Sequence, residues 1–402
     1  MASTHRRQSL ITIRGRGRRF DYRRYLQFLE QLQKGEEVGC DHYIFDLTEP
    51  AGFAVEAMVP FVCTTHALAS RGRRVQVLPP DAGDEFERQG WLAGIRGEIF
   101  ASTDSSTHFA LAMYRTHEEL NSLATRAIKY LTRDEDTARG VRAAFEWSLN
   151  EVADNVLNHA SSDLPGWIQV ESVRGAAVVV VADAGRGIRG SLAEAYDGLR
   201  SDPQAIALAV QRGVTRSRDA GQGNGLSSLL SIAVNAKADL IVHSGTGLLR
   251  VSEGIVQSPE DAGRHPGTAI VFRLPTRAPI DVDEAIWGPR SWPSWDSDYV
   301  TDEEINFRLG AEESNFGNRY TARRLRTQLV NLMNEHPDHK VAIDFAGIDL
   351  VTSSFADEFV AMLVQHLGVV EFISRCKFLN MSRFVANTVN QVVSQRMSPP
   401  DR

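Results

Sequence analysis

The sequence predicts a mixed α/β (α+β) fold in three blocks, and three observations carry that expectation. The chain of 402 residues is longer than one compact core usually holds. Short apolar runs alternate with helical spacing near both ends of the chain, the order expected of small α/β layers with some parallel pairing. Between them, 178–182 is a nearly continuous valine run, which reads as a strand buried on both faces.

In the first block, 1–110, strands are expected at 10–13, 43–47 and 74–78 and helices at 22–32 and 55–69. Arg71-Gly72 ends the second helix and Pro79-Pro80 the third strand. The second block, 111–277, opens with helices near 117–131 and 136–159. Strands follow at 167–172 and 177–182, then a polar glycine-rich stretch and a helix from about 226. Strands at 239–243, 248–251 and 268–274 complete it. Residues 278–302, punctuated by Pro279, Pro289 and Pro293, read as a linker. The third block, 303–402, has helices at 320–335, 354–367 and 382–395 and strands at 340–345 and 376–379. The first and third blocks share the same order of elements.

Composition narrows the function classes. A hydrophobic share of 43% and a charged share of 24% are those of an ordinary globular protein. The net charge of -7 gives no general reason to expect nucleic acid or an anionic membrane as partner. The start of the chain departs from this, with Arg6, Arg7, Arg14, Arg16, Arg18, Arg19, Arg23 and Arg24 against the single acid Asp21. Such a run is either a nucleic-acid or partner arm, or a solvated tail or edge strand. Cys40, Cys63 and Cys376 are scattered and form no CxxC, which argues against a disulfide framework or structural zinc and fits a reducing cytoplasm. No run approaches the roughly 20 apolar residues of a membrane span, and the start lacks the apolar segment of a secretory signal.

Candidate chemistry lies in the second block. Glu151, Asn155 and His159 recur four residues apart and so share one helix face, beside an apolar stripe of Phe145, Leu149, Val152 and Val156. A wet surface face would look the same. The valine strand delivers Asp183, followed by Gly185, Gly187 and Ile188. A carboxylate there needs a partner, and the exocyclic amine of adenine would be one. Gly221, Gly223, Gly225 and Leu226 lead into a helix, leaving amide groups free to meet phosphate. A flexible hinge is the plain alternative. Gly267-Thr268 opens the last strand. Each motif alone is common; their order and spacing together are not.

Taken as a set, these residues resemble the GHKL superfamily of gyrase, MutL, histidine kinases and anti-sigma serine kinases over roughly 115–275. Glu151-x-x-x-Asn155-x-x-x-His159 looks like its N box, and Asp183-x-Gly185-x-Gly187-Ile188 like its first glycine box. Gly221-x-Gly223-x-Gly225-Leu226 looks like the second, and Gly267-Thr268 like the last. The resemblance implies a central Bergerat α/β sandwich binding ATP and Mg²⁺. It implies that Asn155 holds Mg²⁺, Asp183 recognises adenine and Glu151 acts as general base, and that 191–220 is a lid. Thr215, Arg216 and Arg218 would then face the terminal phosphate. His159 either caps the helix end or has a direct role. His117 starts a helix behind a Thr116 N-cap, so it reads as solvated rather than as a phospho-acceptor.

The third block resembles STAS-like domains of the anti-anti-sigma type, on 341–348 and 351–356. Its first helix, at 318–325, matches a STAS-like family of unknown function. In partner switching a serine after the second strand is phosphorylated, and Ser353 and Ser354 hold that position here, although Thr352-Ser353-Ser354-Phe355 departs from the usual Asp-Ser-Ser-Gly. A Ser capping the helix is the plain reading, and both can hold. The first block is similar to a degenerate STAS fold. The resemblances imply a cytoplasmic regulator, an ATPase or serine kinase with STAS-like or sigma-regulatory partners, or else a non-catalytic, nucleotide-gated interaction protein. A homodimer is left open.

Overall fold

The computed structural model describes residues 8–12, 18–80, 84–98, 108–131, 133, 137–173, 175–211, 214, 225–288, 304–313, 315–337 and 339–397. The N-terminal unit comprises β1 (Gln8–Thr12), β2 (Arg19–Phe20), α1 (Tyr22–Glu37), β3 (His42–Asp46), β4 (Gly52–Phe53), α2 (Val55–Ser70), β5 (Arg74–Leu78), α3 (Asp84–Arg88) and α4 (Trp91–Arg96). The middle unit comprises β6 (Ala112–Tyr114), α5 (His117–Leu131), α6 (Val141–His159), β7 (Gly166–Val173), β8 (Ala176–Asp183), α7 (Gly187–Leu192) and α8 (Asp202–Ala209). It continues through α9 (Gly225–Asn235), β9 (Asp239–Ser252), β10 (Ile255–Val256), β11 (Glu260–Pro275) and α10 (Val282–Trp287). The C-terminal unit comprises β12 (Glu304–Arg308), α11 (Leu309–Glu312), α12 (Arg319–Glu335), β13 (Lys340–Asp344) and α13 (Ser353–Ala356). A π-helical turn (Asp357–Ala361) leads from it into α14 (Met362–Leu367), α15 (Val369–Arg375), β14 (Cys376–Leu379) and α16 (Arg383–Met397). The molecule is mixed α/β, as expected.

The middle sheet has the order β10-β9-β11-β8-β7-β6, with every pairing antiparallel. All eight residues of β8 are buried. Alternation sends Val179 and Val181 into a core with Phe145, Leu149, Ile270 and Phe272 under the helices. Val178, Val180 and Ala182 go into the opposite core, with Phe45, Phe61 and Val62 of the N-terminal unit. The valine run is therefore apolar on both sides because two different layers cover it.

The N-terminal unit is held to that sheet by α2, which lies on β7, β8 and β11, and by α1, which lies on β11. Two polar clasps cross the same face. Trp91 Nε1 donates to Gln169 Oε1 at 2.8 Å, and Gln169 Nε2 donates to Gln89 Oε1 at 2.7 Å. Tyr22 Oη lies 2.9 Å from His243 Nδ1, and Tyr25 Oη lies 2.7 Å from His265 Nδ1.

The two outer units are built alike. Their sheets, β1-β3-β5 and β12-β13-β14, are all parallel and have the same connectivity. In each, an aspartate ends the second strand and accepts a bond from the amide two residues on: Asp46 from Thr48 at 3.0 Å, Asp344 from Ala346 at 2.9 Å. The following helix starts at the same interval, Val55 after Asp46 and Ser353 after Asp344.

Several elements differ from the sequence expectation. The strands expected at 239–243 and 248–251 are one strand, β9, because Gly245 and Gly247 make room for Asp202, whose Oδ2 accepts from the Thr246 amide at 2.9 Å. Asp202 opens α8, an unexpected helix inside the segment 191–220; Ser201 caps it, and Ala205 and Ile206 are fully buried. Within the expected linker, Asp281 caps α10, whose Val282 and Ile286 enter the middle core. The helix expected from 136 starts at Val141, after Gly140 turns the chain with φ of 81°.

Candidate functional site

Helix α6 carries Glu151, Asn155 and His159, and its buried side rests on the sheet. At its C-terminal end the turn after β8 closes on it: Arg186 N donates to Ala160 O at 3.0 Å, and Arg186 Nε to His159 O at 3.1 Å. Gly185 packs on Ala160 so closely that a side chain there would clash. At the other end of the site, a Cβ on Gly225 would stand 2.6 Å from Glu151 Oε2 and 3.6 Å from Asn155 Nδ2. The start of α9 thus lies against the Glu151–Asn155 face.

Asp183 ends β8 opposite Thr268 of β11. Its Oδ1 accepts from the Gly185 amide at 2.7 Å. A Cβ on Gly267 would stand 2.5 Å from both Asp183 Oδ1 and Gly185 N, so only glycine fits. Burial pushes the Asp183 carboxyl up to about 6, and the amides of Gly185 and Thr268 pull it back part of the way. Ser244, which no sequence motif picks out, ties this turn together. Its hydroxyl accepts from Ile188 N at 2.8 Å, donates to Gly267 O at 3.1 Å and lies 3.1 Å from Thr268 Oγ1.

Glu151, Asn155, Asp183, Gly185, Gly187, Ile188, Gly225, Leu226 and Thr268 therefore belong to one region, where β8, β11, α6, α7 and α9 meet. Gly221, Gly223, Thr215, Arg216 and Arg218 lie outside the described residues.

Glu151 has a second set of neighbours. It is buried, and burial pushes its carboxyl up to about 8, with Asp154 adding to the rise. The amides of Ser354 and Ser353, and the charge of Arg319, offset part of this. These three residues come from the C-terminal unit. Oε1 of Glu151 and Oγ of Ser353 are both buried without a hydrogen-bond partner. Thr352, not a serine, caps α13: its Oγ1 accepts from Phe355 N at 3.1 Å. The sequence expectation of a capping serine is corrected, because Thr352 precedes the first helical residue and leaves Ser353 and Ser354 inside the first turn. Further polar contacts surround them. Asn121 Nδ2 donates to Thr321 Oγ1 at 2.9 Å, and Asn318 Nδ2 donates to Asn121 Oδ1. Thr116 caps α5 as expected, its hydroxyl accepting from Glu119 N at 3.2 Å. His117, however, is not solvated as the sequence suggested: its ring stacks on Tyr320, with Nε2 3.3 Å from Asp154 Oδ1.

Residues 321–385 match the family model described as STAS-like domain of unknown function (DUF4325). The C-terminal unit thus carries a STAS-like domain. No curated protein matches the chain. No helix among the described residues is long and apolar enough to cross a membrane.

Proposed function

We propose that residues 111–277 form a Mg-ATP site of the GHKL type and that the chain is a cytoplasmic regulator of the partner-switching kind, working with STAS-like modules. The observation that carries this reading is the convergence of separate motifs. The Asp183–Gly185 turn closes on the end of α6, Gly267 fits against Asp183, and Gly225 fits against Glu151 and Asn155. Asp183 keeps a buried carboxyl with few partners, suited to an amine such as that of adenine. Half-buried Asn155 would hold Mg²⁺ through its amide oxygen, the remaining ligands being phosphate and water. The bound metal would neutralise phosphate charge. Calorimetry tests the site: Asp183→Asn should lower ATP affinity by about 10- to 100-fold, and an unchanged affinity would remove the adenine assignment.

In the enzymatic version Glu151 takes a proton from water or from a serine hydroxyl, with Ser353 and Ser354 as candidate acceptors. A second version, a nucleotide-gated interaction protein without catalysis, is favoured by the state of Glu151. A carboxyl pushed up to about 8 is mostly protonated at neutral pH, and its protonated form cannot serve as a base. Incubation with γ-labelled ATP separates the two. Label kept on the wild type but lost in Ser353→Ala or Ser354→Ala supports the kinase, and release to water alone supports an ATPase. No turnover leaves nucleotide-gated docking.

A further inference from the structure

The two outer units are joined to the middle unit by different chemistry. The N-terminal unit shares one continuous apolar core with the sheet. The C-terminal unit has a core of its own and, among the described residues, adds only Leu350 and Phe384 to that of the middle unit. Among the described residues it also makes a run of polar and ring contacts with the middle unit: Asn318 and Thr321 on Asn121, Tyr320 on His117, and Asn387 and Arg383 on Asp283 at 2.7 and 3.1 Å. At the centre, the first turn of α13 covers Glu151, and the backbone of Gly317 lies flat against Asn150. The polar atoms left buried and unbonded there include Glu151 Oε1, Asn150 Oδ1 and Ser353 Oγ, and water would satisfy them once the surfaces part.

We infer that the STAS-like domain is a removable cover in cis: docked, it seals Glu151 from solvent, and released, it frees Glu151 and the α5–α6 face together. The polar seam makes release inexpensive, because Asn, His, Arg and Asp side chains exchange one another for water. The independent core lets the domain leave intact. The consequence for turnover rests on the ATP reading above, whereas the cover itself does not.

Gly317 provides the wedge for a test in the 402-residue chain. A side chain there runs into Asn150, and the φ of Gly317 is not in the positive range that would strain a substitution. Asn121→Arg breaks the same seam from the opposite side. Carboxyl labelling with a carbodiimide and glycinamide, followed by peptide mass spectrometry, reads the exposure of Glu151 against exposed Glu118 of α5. In the wild type, Glu151 should label at least about tenfold more slowly than Glu118, and Gly317→Leu and Asn121→Arg should each remove most of that difference. Wild-type Glu151 labelling as fast as Glu118 would overturn the cover. So would protection that persists in both variants when scattering shows the C-terminal domain displaced and circular dichroism shows it folded. If one variant misfolds, the other decides. Fast labelling without ATP binding upholds the cover and removes only the nucleotide reading.

Discussion

At the residue scale, Asp183 and Gly267 show how much the site depends on the absence of atoms. A methyl group on Gly267 would meet Asp183 Oδ1 and Gly185 N at 2.5 Å, so Gly267→Ala must displace the turn. Overpacking of this kind costs about 1–3 kcal/mol, to be read as a lower Tm, and ATP affinity should fall with it; a variant with neither change would show that the turn is not the binding element. Asp183 itself carries a cost. Its folded pKa of about 6 lies above the ordinary 3.8, so stability is full below 3.8 and is lost as pH rises through about 6. Asp183→Asn should therefore raise Tm at pH 7 but not at pH 3.5, and on the nucleotide reading proposed above it should weaken ATP binding at the same time, a trade of stability against function. An equal Tm for both proteins at pH 7 would contradict that sign. The aspartate and glycines were legible because their spacing is local. Ser244 was not, since its partners Ile188 and Gly267 are distant in sequence and a lone serine in a strand announces nothing.

At the scale of elements, α1 and the strands β9 and β11 are bolted by two buried Tyr–His pairs. Burial drives His243 down to about 4, and it drives His265 down as well, helped by the neighbouring His243. Both are neutral at pH 7. A depressed histidine contributes stability that is full above its unfolded value of about 6.5 and is lost as pH falls through about 4. Acidification over that window should loosen α1 from the sheet. Hydrogen exchange of α1 at pH 7 and pH 5 would show this, and His243→Gln should flatten the difference. Tyr25→Phe should cost about 1–3 kcal/mol, because it takes the Tyr25 hydroxyl from His265 Nδ1 in the interior, whereas Thr64 keeps its bond to Pro60 O. An unchanged urea midpoint would mean that the pair contributes no net stability. Amphipathic spacing placed α1 within the chain but gave no sign that its tyrosines would meet histidines more than two hundred residues away.

At the scale of the whole molecule, three units form two kinds of junction. The N-terminal and middle units should unfold as one cooperative body, because β8 lacks one wall of its core without α2. The C-terminal domain should melt or open separately. Calorimetry should resolve two transitions, with amides of α12–α16 exchanging at a lower free energy than those of β8. A single transition with uniform protection would instead make the seam as strong as the sheet junction. The likeness of the outer units sharpens the contrast. Where the C-terminal copy presents Ser353-Ser354 at its helix start, the N-terminal copy presents Val55-Glu56, with Val55 buried in the shared core.

The sequence by itself determined the main strands and helices of each block, though not α8, α10 or the single strand β9, together with the valine strand, the four motifs of the middle unit and the STAS-like pattern at 318–325, 341–348 and 351–356. These are written in short-range spacing, where periods of two and 3.6 residues and the special backbone of glycine act directly. Only the tertiary structure decided what fills the two sides of β8, that Ser244 fastens the Asp183 turn, and that the serines of α13 rest on Glu151. Those facts rest on surfaces brought together from opposite ends of the chain. Local spacing does not encode such meetings, because they depend on the shape and polarity of whole folded units.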